Sequence, residues 1–177
     1  LKRGSVKLTA HQKEWYKEAE QTITELKNLL GDCAVDIQHI GSTAVSSIHA
    51  KPIIDIVVGV CDLKDISPFI EKLSHSKYIF RGKDIPGQIL FVKGDFEKDI
   101  RTHHIHIVKW NGIEWNNYIN FRDFLNAFPE KAMAYDLCKQ NLARQFSSER
   151  SRYTAGKQEM IKNLLKEARL WRSMQQS

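Results

Sequence analysis

The sequence is poor in cysteine and proline and has no long apolar run. Cys33, Cys61 and Cys138 are its 3 cysteines in 177 residues. Their odd number, with no Cys-x-x-Cys spacing, indicates neither a disulfide framework nor a Cys-based zinc site, and it fits a reducing cytoplasm. No segment approaches the ~18 consecutive apolar residues of a membrane span, and Leu1 to Ala10 lacks the apolar core of a signal peptide. With 4 prolines and 9 glycines there is no linker, collagen-like tract or low-complexity segment. A hydrophobic content of 42% excludes wholesale disorder. A chain of roughly 150 residues already buries about 68–70% of its unfolded surface. The expectation is therefore one soluble domain over 1–177, with no membrane partner. The chain starts at Leu1 rather than Met, which raises the expectation of a trimmed chain or a fragment of a longer protein.

Acidic and basic residues nearly balance over most of the chain. The net charge is +6. Residues 1–130 carry 17 Lys+Arg and 17 Asp+Glu, whereas residues 131–177 carry 10 and 4, so the whole excess, 10 − 4 = +6, lies in the last 47 residues. A basic segment attracts nucleic acid, free nucleotides or another polyanion, or simply solvates a helix face. Helical phase decides between these.

Apolar residues at helical spacing predict a first helix over 9–30, with Thr9 as cap and Gly31 as stop. Alternation predicts a strand at 35–39 ending at Gly41-Ser42, then a turn over 43–47. The β-branched run 53–60 reads as a central strand buried on both faces. A helix at 63–73 and strands at 77–80, 88–93 and 103–109 follow. Three helices, at 114–127, 130–146 and 151–171, complete the pattern. The fold class is α+β: a sheet-bearing part over about 1–112, preceded by one helix, and a helical layer over about 113–172.

Asp55 interrupts the central strand, and an ionised carboxylate is rarely left unpaired in an interior. It is either a buried carboxylate bonded to backbone amides or a basic group, or a site residue. Arg101, His103, His104 and His106 cluster within six residues. On a strand His104 and His106 share a face, so their imidazoles can converge on one divalent cation or one phosphate. The bland alternative is a polar face wetted by solvent. Gly41-Ser42, between a strand and a helical turn, either receives a phosphate on its amides and hydroxyl or is an ordinary turn. His39 is a site residue or a bonded core histidine.

In the last helix Lys157 falls on the apolar stripe between Tyr153 and Ile161 and points inward. Lys162, Lys166, Arg169 and Arg172 follow another line and read as solvated. Arg122 lies at the edge of the apolar arc of its helix, facing the sheet or snorkelling. Inward basic residues opposite an Asp and two His are what an anion pocket requires.

These segments, His39-Ile-Gly-Ser-Thr-Ala-Val45, Ala50-Lys-Pro-Ile-Ile-Asp-Ile56, Arg101-Thr-His-His-Ile-His106, Phe121-Arg-Asp-Phe124 and the stretch from Tyr153 to Lys157, resemble the GrpB family, related to the nucleotidyltransferase superfamily. The resemblance runs through nearly the whole chain. It implies a nucleotidyltransferase-like mixed sheet, with Gly41-Ser42 at the phosphate-binding turn and Asp55 as first metal-binding carboxylate. The superfamily's second carboxylate is replaced by Val57, and the third falls near His104 or His106. One carboxylate and two histidines suit Mn, Zn or Fe at least as well as Mg.

The leading expectation is a cytoplasmic protein that binds a nucleotide or similar phosphorylated ligand and transfers a nucleotidyl group with a divalent metal. Asp55, His104 and His106 form its metal or acid/base set. Gly41 and Ser42 hold a phosphate, and Lys51, Arg101, Arg122 and Lys157 supply counter-charge. The rivals are a non-catalytic nucleotide or phosphate sensor, suggested by Val57, and a metal-dependent hydrolase using the His pair. Nucleic acid is disfavoured because no stacking motif or groove-reading module is present. Fusion to another enzyme, known in the family, implies a partner role.

Overall fold

The computed structural model describes residues 6–82 and 85–175. Leu1, where the chain begins, lies outside them. Five strands form one mixed sheet: β1 (Asp36–Ile40), β2 (Ile54–Val60), β3 (Ile79–Gly82), β4 (Gln88–Asp95) and β5 (Ile100–Lys109). Their order across the sheet is β1-β2-β5-β4-β3. Only the central pair, β2 with β5, is parallel.

Helix α1 (Glu14–Leu30) covers one face of the sheet. Its buried stripe of Trp15, Ala19, Ile23, Leu26 and Leu30 packs on Ile54, Ile56, Val58, Ile105 and Ile107. The helix starts five residues later than expected. Thr9 does not cap it; instead Thr9 and Ala50 exchange backbone hydrogen bonds of 2.9 Å as an antiparallel bridge. The expected stop holds, since Gly31 has φ of 52°, which a side chain would strain.

The expected helix at 63–73 is split into a 3₁₀ segment, Leu63–Phe69, and α2, Ile70–His75. Pro68 lies inside the 3₁₀ segment and cannot donate to an α-helical ladder. The second face of the sheet carries α3 (Ile113–Ala127), α4 (Pro129–Gln145), α5 (Arg150–Gly156) and α6 (Gln158–Gln175). The single helix expected over 151–171 is thus two, broken at Gly156-Lys157. A Cβ on Gly156 would come within 2.5 Å of Leu142 Cδ2, so α5 approaches the Leu142 side chain of α4 closely at this glycine.

Beneath α3, Trp115 packs on Ile40, Val57 and Val108 and fills one end of the second sheet face. The other helices bury Phe124, Leu125, Ala132, Tyr135, Leu164 and Ala168 among themselves and against Val45 and Ile48. Between this helical core and the sheet, the end carrying Asp55 is left open.

Candidate active site

Parallel pairing of β2 and β5 sets Asp55 beside His104 and Val57 beside His106. Because strand side chains alternate, all four share the face opposite α1. His104 Nδ1 is 3.1 Å from Asp55 Oδ1, and His106 Nε2 is 3.5 Å from the same oxygen. One donor atom from each of the three lies within 4.8 Å of the others. Burial opposes ionisation of Asp55, but the hydrogen bonds and positive charge of the two imidazoles outweigh it and hold the carboxyl well below its ordinary range. The donors fit one divalent cation. Val57 offers none and is 0% exposed against Trp115, so the three do not build a two-metal carboxylate set.

Strand β1 leads into Gly41, whose φ is 72°. A Cβ there would sit 2.6 Å from Asp55 Oδ2. Glycine therefore lets the turn close on the carboxylate. The next residues form a short 3₁₀ turn, Ser42–Ala44.

This turn and the Asp–His cluster line a cavity of about 790 Å³ between the sheet and helices α3 to α6. Lys51, Arg101 and Lys157 line it too. Lys51 and Lys157 sit over the same ring, their Nζ atoms 5.3 and 4.6 Å from the Tyr153 centroid. Burial, together with the charges of Lys157 and Arg150, lowers Lys51 to about 8. Lys157 is also lowered, chiefly by burial.

Sequence reasoning missed the most enclosed base of the wall. Lys139, on α4, is 1% exposed. Its ammonium donates to Ser42 Oγ at 3.4 Å and to the His49 carbonyl, and it lies 3.5 Å from Asp136 Oδ1. Burial lowers it to about 8, against the pull of Asp136. Tyr135, one turn earlier, is also hydrogen-bonded to Ser42, and its ring rests 4.9 Å from the ammonium. The available signal was spacing: Ala132, Tyr135, Asp136 and Lys139 lie at i, i+3, i+4 and i+7.

Arg122 is a correction. It faces the sheet but is not among the residues lining the cavity. Its guanidinium donates to Gln38 Oε1 and the His39 carbonyl, each at 3.0 Å, and pairs with Asp123 at 2.7 Å. Its charge therefore anchors α3 to β1. Arg172, expected to be solvated, donates to Asn120 Oδ1 at 3.0 Å and to Asp123. Arg169, although exposed, donates to Asn117 Oδ1. Lys162 and Lys166 are exposed as expected.

Two histidines serve the core. His103 faces α1, with Nε2 3.1 Å from Thr22 Oγ1. His39 Nε2 is 2.9 Å from Thr43 Oγ1. Burial lowers each to about 4, so both are neutral.

A mixed sheet with its turn and carboxylate at one edge and helices over that face defines a nucleotidyltransferase-like fold. A solved structure of the Cid1 poly(U) polymerase, in complex with its short product ApU, has this fold: TM-score 0.54 at 12% identity, over 76% of this chain and 42% of that one. The family model described as GrpB protein matches residues 5–167, and the chain belongs to that family. It is 37% identical over 170 residues to the glutamate-rich protein GrpB of Alkalihalophilus pseudofirmus, covering 94% of this chain and 98% of that one. It is 32% identical over 168 residues to the UPF0157 protein YqkA of Bacillus subtilis, of whose length it spans 48%. The crystal structure of conserved protein GrpB from Enterococcus faecalis superposes with a TM-score of 0.86 at 30% identity, over 93% of this chain and 99% of that one. Among the described residues no helix is long and apolar enough to cross a membrane.

Proposed function

We propose that this chain binds a nucleotide, or another phosphorylated small molecule, in the cavity between β2, β5 and the helical layer. One observation carries the reading: buried Lys139 and half-buried Lys51 and Lys157 line one cavity together with Gly41, Ser42 and Asp55, and Lys139 reaches Ser42. Amines so placed repel one another and lack solvent, and a polyanion relieves both costs. In this reading Ser42 and the turn amides receive a phosphate, and the lysines and Arg101 neutralise the remaining oxygens. Asp55, His104 and His106 hold one divalent cation, which when bound neutralises phosphate oxygens and polarises the phosphorus.

Nucleotidyl transfer is the reaction the fold suggests. Binding without transfer is the second reading, and Val57 favours it, because no second carboxylate stands beside Asp55. Calorimetric titration with ATP in the presence of Mn²⁺ or Mg²⁺, with a parallel assay for pyrophosphate, separates them. Binding with pyrophosphate release supports a transferase, and binding without release supports a sensor. No binding of ATP or tripolyphosphate overturns both.

A further inference from the structure

His106 is gripped from both sides. Its Nε2 faces Asp55 Oδ1 at 3.5 Å. Behind the ring, Nδ1 is 3.3 Å from Gln88 Oε1 and 3.3 Å from the Tyr118 hydroxyl, and that hydroxyl is 2.7 Å from Gln88 Oε1. An amide oxygen only accepts, so the one Tyr118 proton goes to Gln88. Nothing in this trio donates to His106 Nδ1. That nitrogen therefore carries its own proton and gives it to the Gln88–Tyr118 pair.

A neutral imidazole protonated at Nδ1 presents Nε2 as a lone pair. Here Nε2 points at a carboxylate oxygen, in a place where the His106 side chain is 15% exposed. Either a proton on Nε2 or a metal cation bridges these two atoms, and the convergence of a third donor from His104 is what fits the set to a metal. His104 turns its Nδ1 to the same oxygen at 3.1 Å.

We propose that Asp55, His104 and His106 form a site selective for a late first-row divalent metal of the zinc(II) or cobalt(II) class over Mg²⁺, and that Gln88 and Tyr118 are the positioning pair that fixes the donor nitrogen of His106. This rests on the metal part of the reading above and goes beyond it in the metal's class. Two of the three donors are imidazole nitrogens, which suit such metals, whereas Mg²⁺ takes oxygen ligands in near-ideal octahedra. A hydrogen bond from the distal N–H of a ligating histidine to an acceptor orients the ring and raises its basicity.

The test is titration of the whole chain with Co²⁺, Zn²⁺ and Mg²⁺, read by calorimetry and by the visible absorption of bound Co²⁺. The expected result is at least about tenfold tighter binding of Co²⁺ and Zn²⁺ than of Mg²⁺. The double variant Gln88→Leu with Tyr118→Phe, which removes both acceptors, weakens Co²⁺ by about tenfold or more. Gln88→Glu, which keeps an acceptor, retains or tightens it. Circular dichroism verifies that both variants are folded. A merely structural pair would give the two folded variants the same Co²⁺ affinity, which overturns the positioning role. Mg²⁺ bound as tightly as Co²⁺, or no Co²⁺ bound, overturns the site. ATP binding with Mg²⁺ while Co²⁺ fails to bind overturns this inference and leaves the phosphate cavity standing. Co²⁺ binding without affinity for ATP or tripolyphosphate does the reverse.

Discussion

His104 Nδ1 lies 3.1 Å from Asp55 Oδ1 because β2 and β5 run parallel with these two residues at matching positions. The contact is therefore set by strand register. A slip of one residue would carry His104 and His106 to the α1 face and bring His103 to the site face. The apolar set Ile105 and Ile107, packed under α1, prevents that slip. The candidate chemistry on one face is thus held by the hydrophobic core on the other.

Gly41 is where the turn meets this pair. Gly41→Ala combines a positive φ with a Cβ 2.6 Å from Asp55 Oδ2. Urea unfolding should show a loss of about 1–3 kcal/mol from the backbone strain alone, with further loss from the contact. An unchanged midpoint would mean that the turn can relax away from Asp55.

Lys139→Met separates binding from stability. Asp136 keeps His49 Nδ1 at 2.7 Å and Gln140 at 2.8 Å, so no acid is stranded. The freed His49 carbonyl costs about 1 kcal/mol, measurable by thermal melting. Affinity for tripolyphosphate should fall about 10- to 100-fold, the loss of one charge-assisted hydrogen bond.

The lysines also give a pH signature. Lys51 and Lys139 are lowered to about 8 from 10.5. Between those values the unfolded chain binds more protons than the folded one, so these groups make stability rise with pH from about 8 towards 10.5. Tyr135 and Tyr153, raised chiefly by burial, act in the opposite sense near the top of that window. The clean observable is a difference. Relative to wild type, Lys51→Met and Lys139→Met should each show a smaller rise in urea midpoint between pH 8 and pH 9.5. Parallel curves would mean that neither amine is perturbed.

Val57→Asp places the carboxylate that the superfamily pattern has there. Val57 is 0% exposed and packed on Ile40, Val108 and Trp115. A new acid facing Trp115 should cost about 3 kcal/mol or more in chemical denaturation, with no gain in pyrophosphate release. A stable variant that releases pyrophosphate would show that the site tolerates two carboxylates.

The strands and the Asp–His cluster were legible because strand alternation is local: positions 53–60 and 103–109 declare their faces unaided. The phase of one unbroken helix aims Lys157 inward; it does line the cavity, but from the junction between α5 and α6. Other features depend on tertiary partners that no local pattern names. For Arg122 the phase leaves facing the sheet and snorkelling both open; it faces the sheet, where Gln38, His39 and Asp123 take up its guanidinium. Lys139 was absorbed into the basic surplus of residues 131–177, although its helical spacing places it inward beside Tyr135. Thr9 has a good cap side chain, yet its backbone pairs with Ala50 instead. The break at Gly156-Lys157 falls where α5 lies close to Leu142 of α4, 14 residues upstream.

The measurement that bears most directly on the phosphate cavity is calorimetric titration of the wild-type chain and Lys139→Met with ATP and Mn²⁺ at two salt concentrations. Saturable binding that weakens with salt, and weakens further in Lys139→Met, is the predicted result. Absence of binding by the wild-type chain at millimolar ATP, or equal affinity in a folded Lys139→Met, would contradict it.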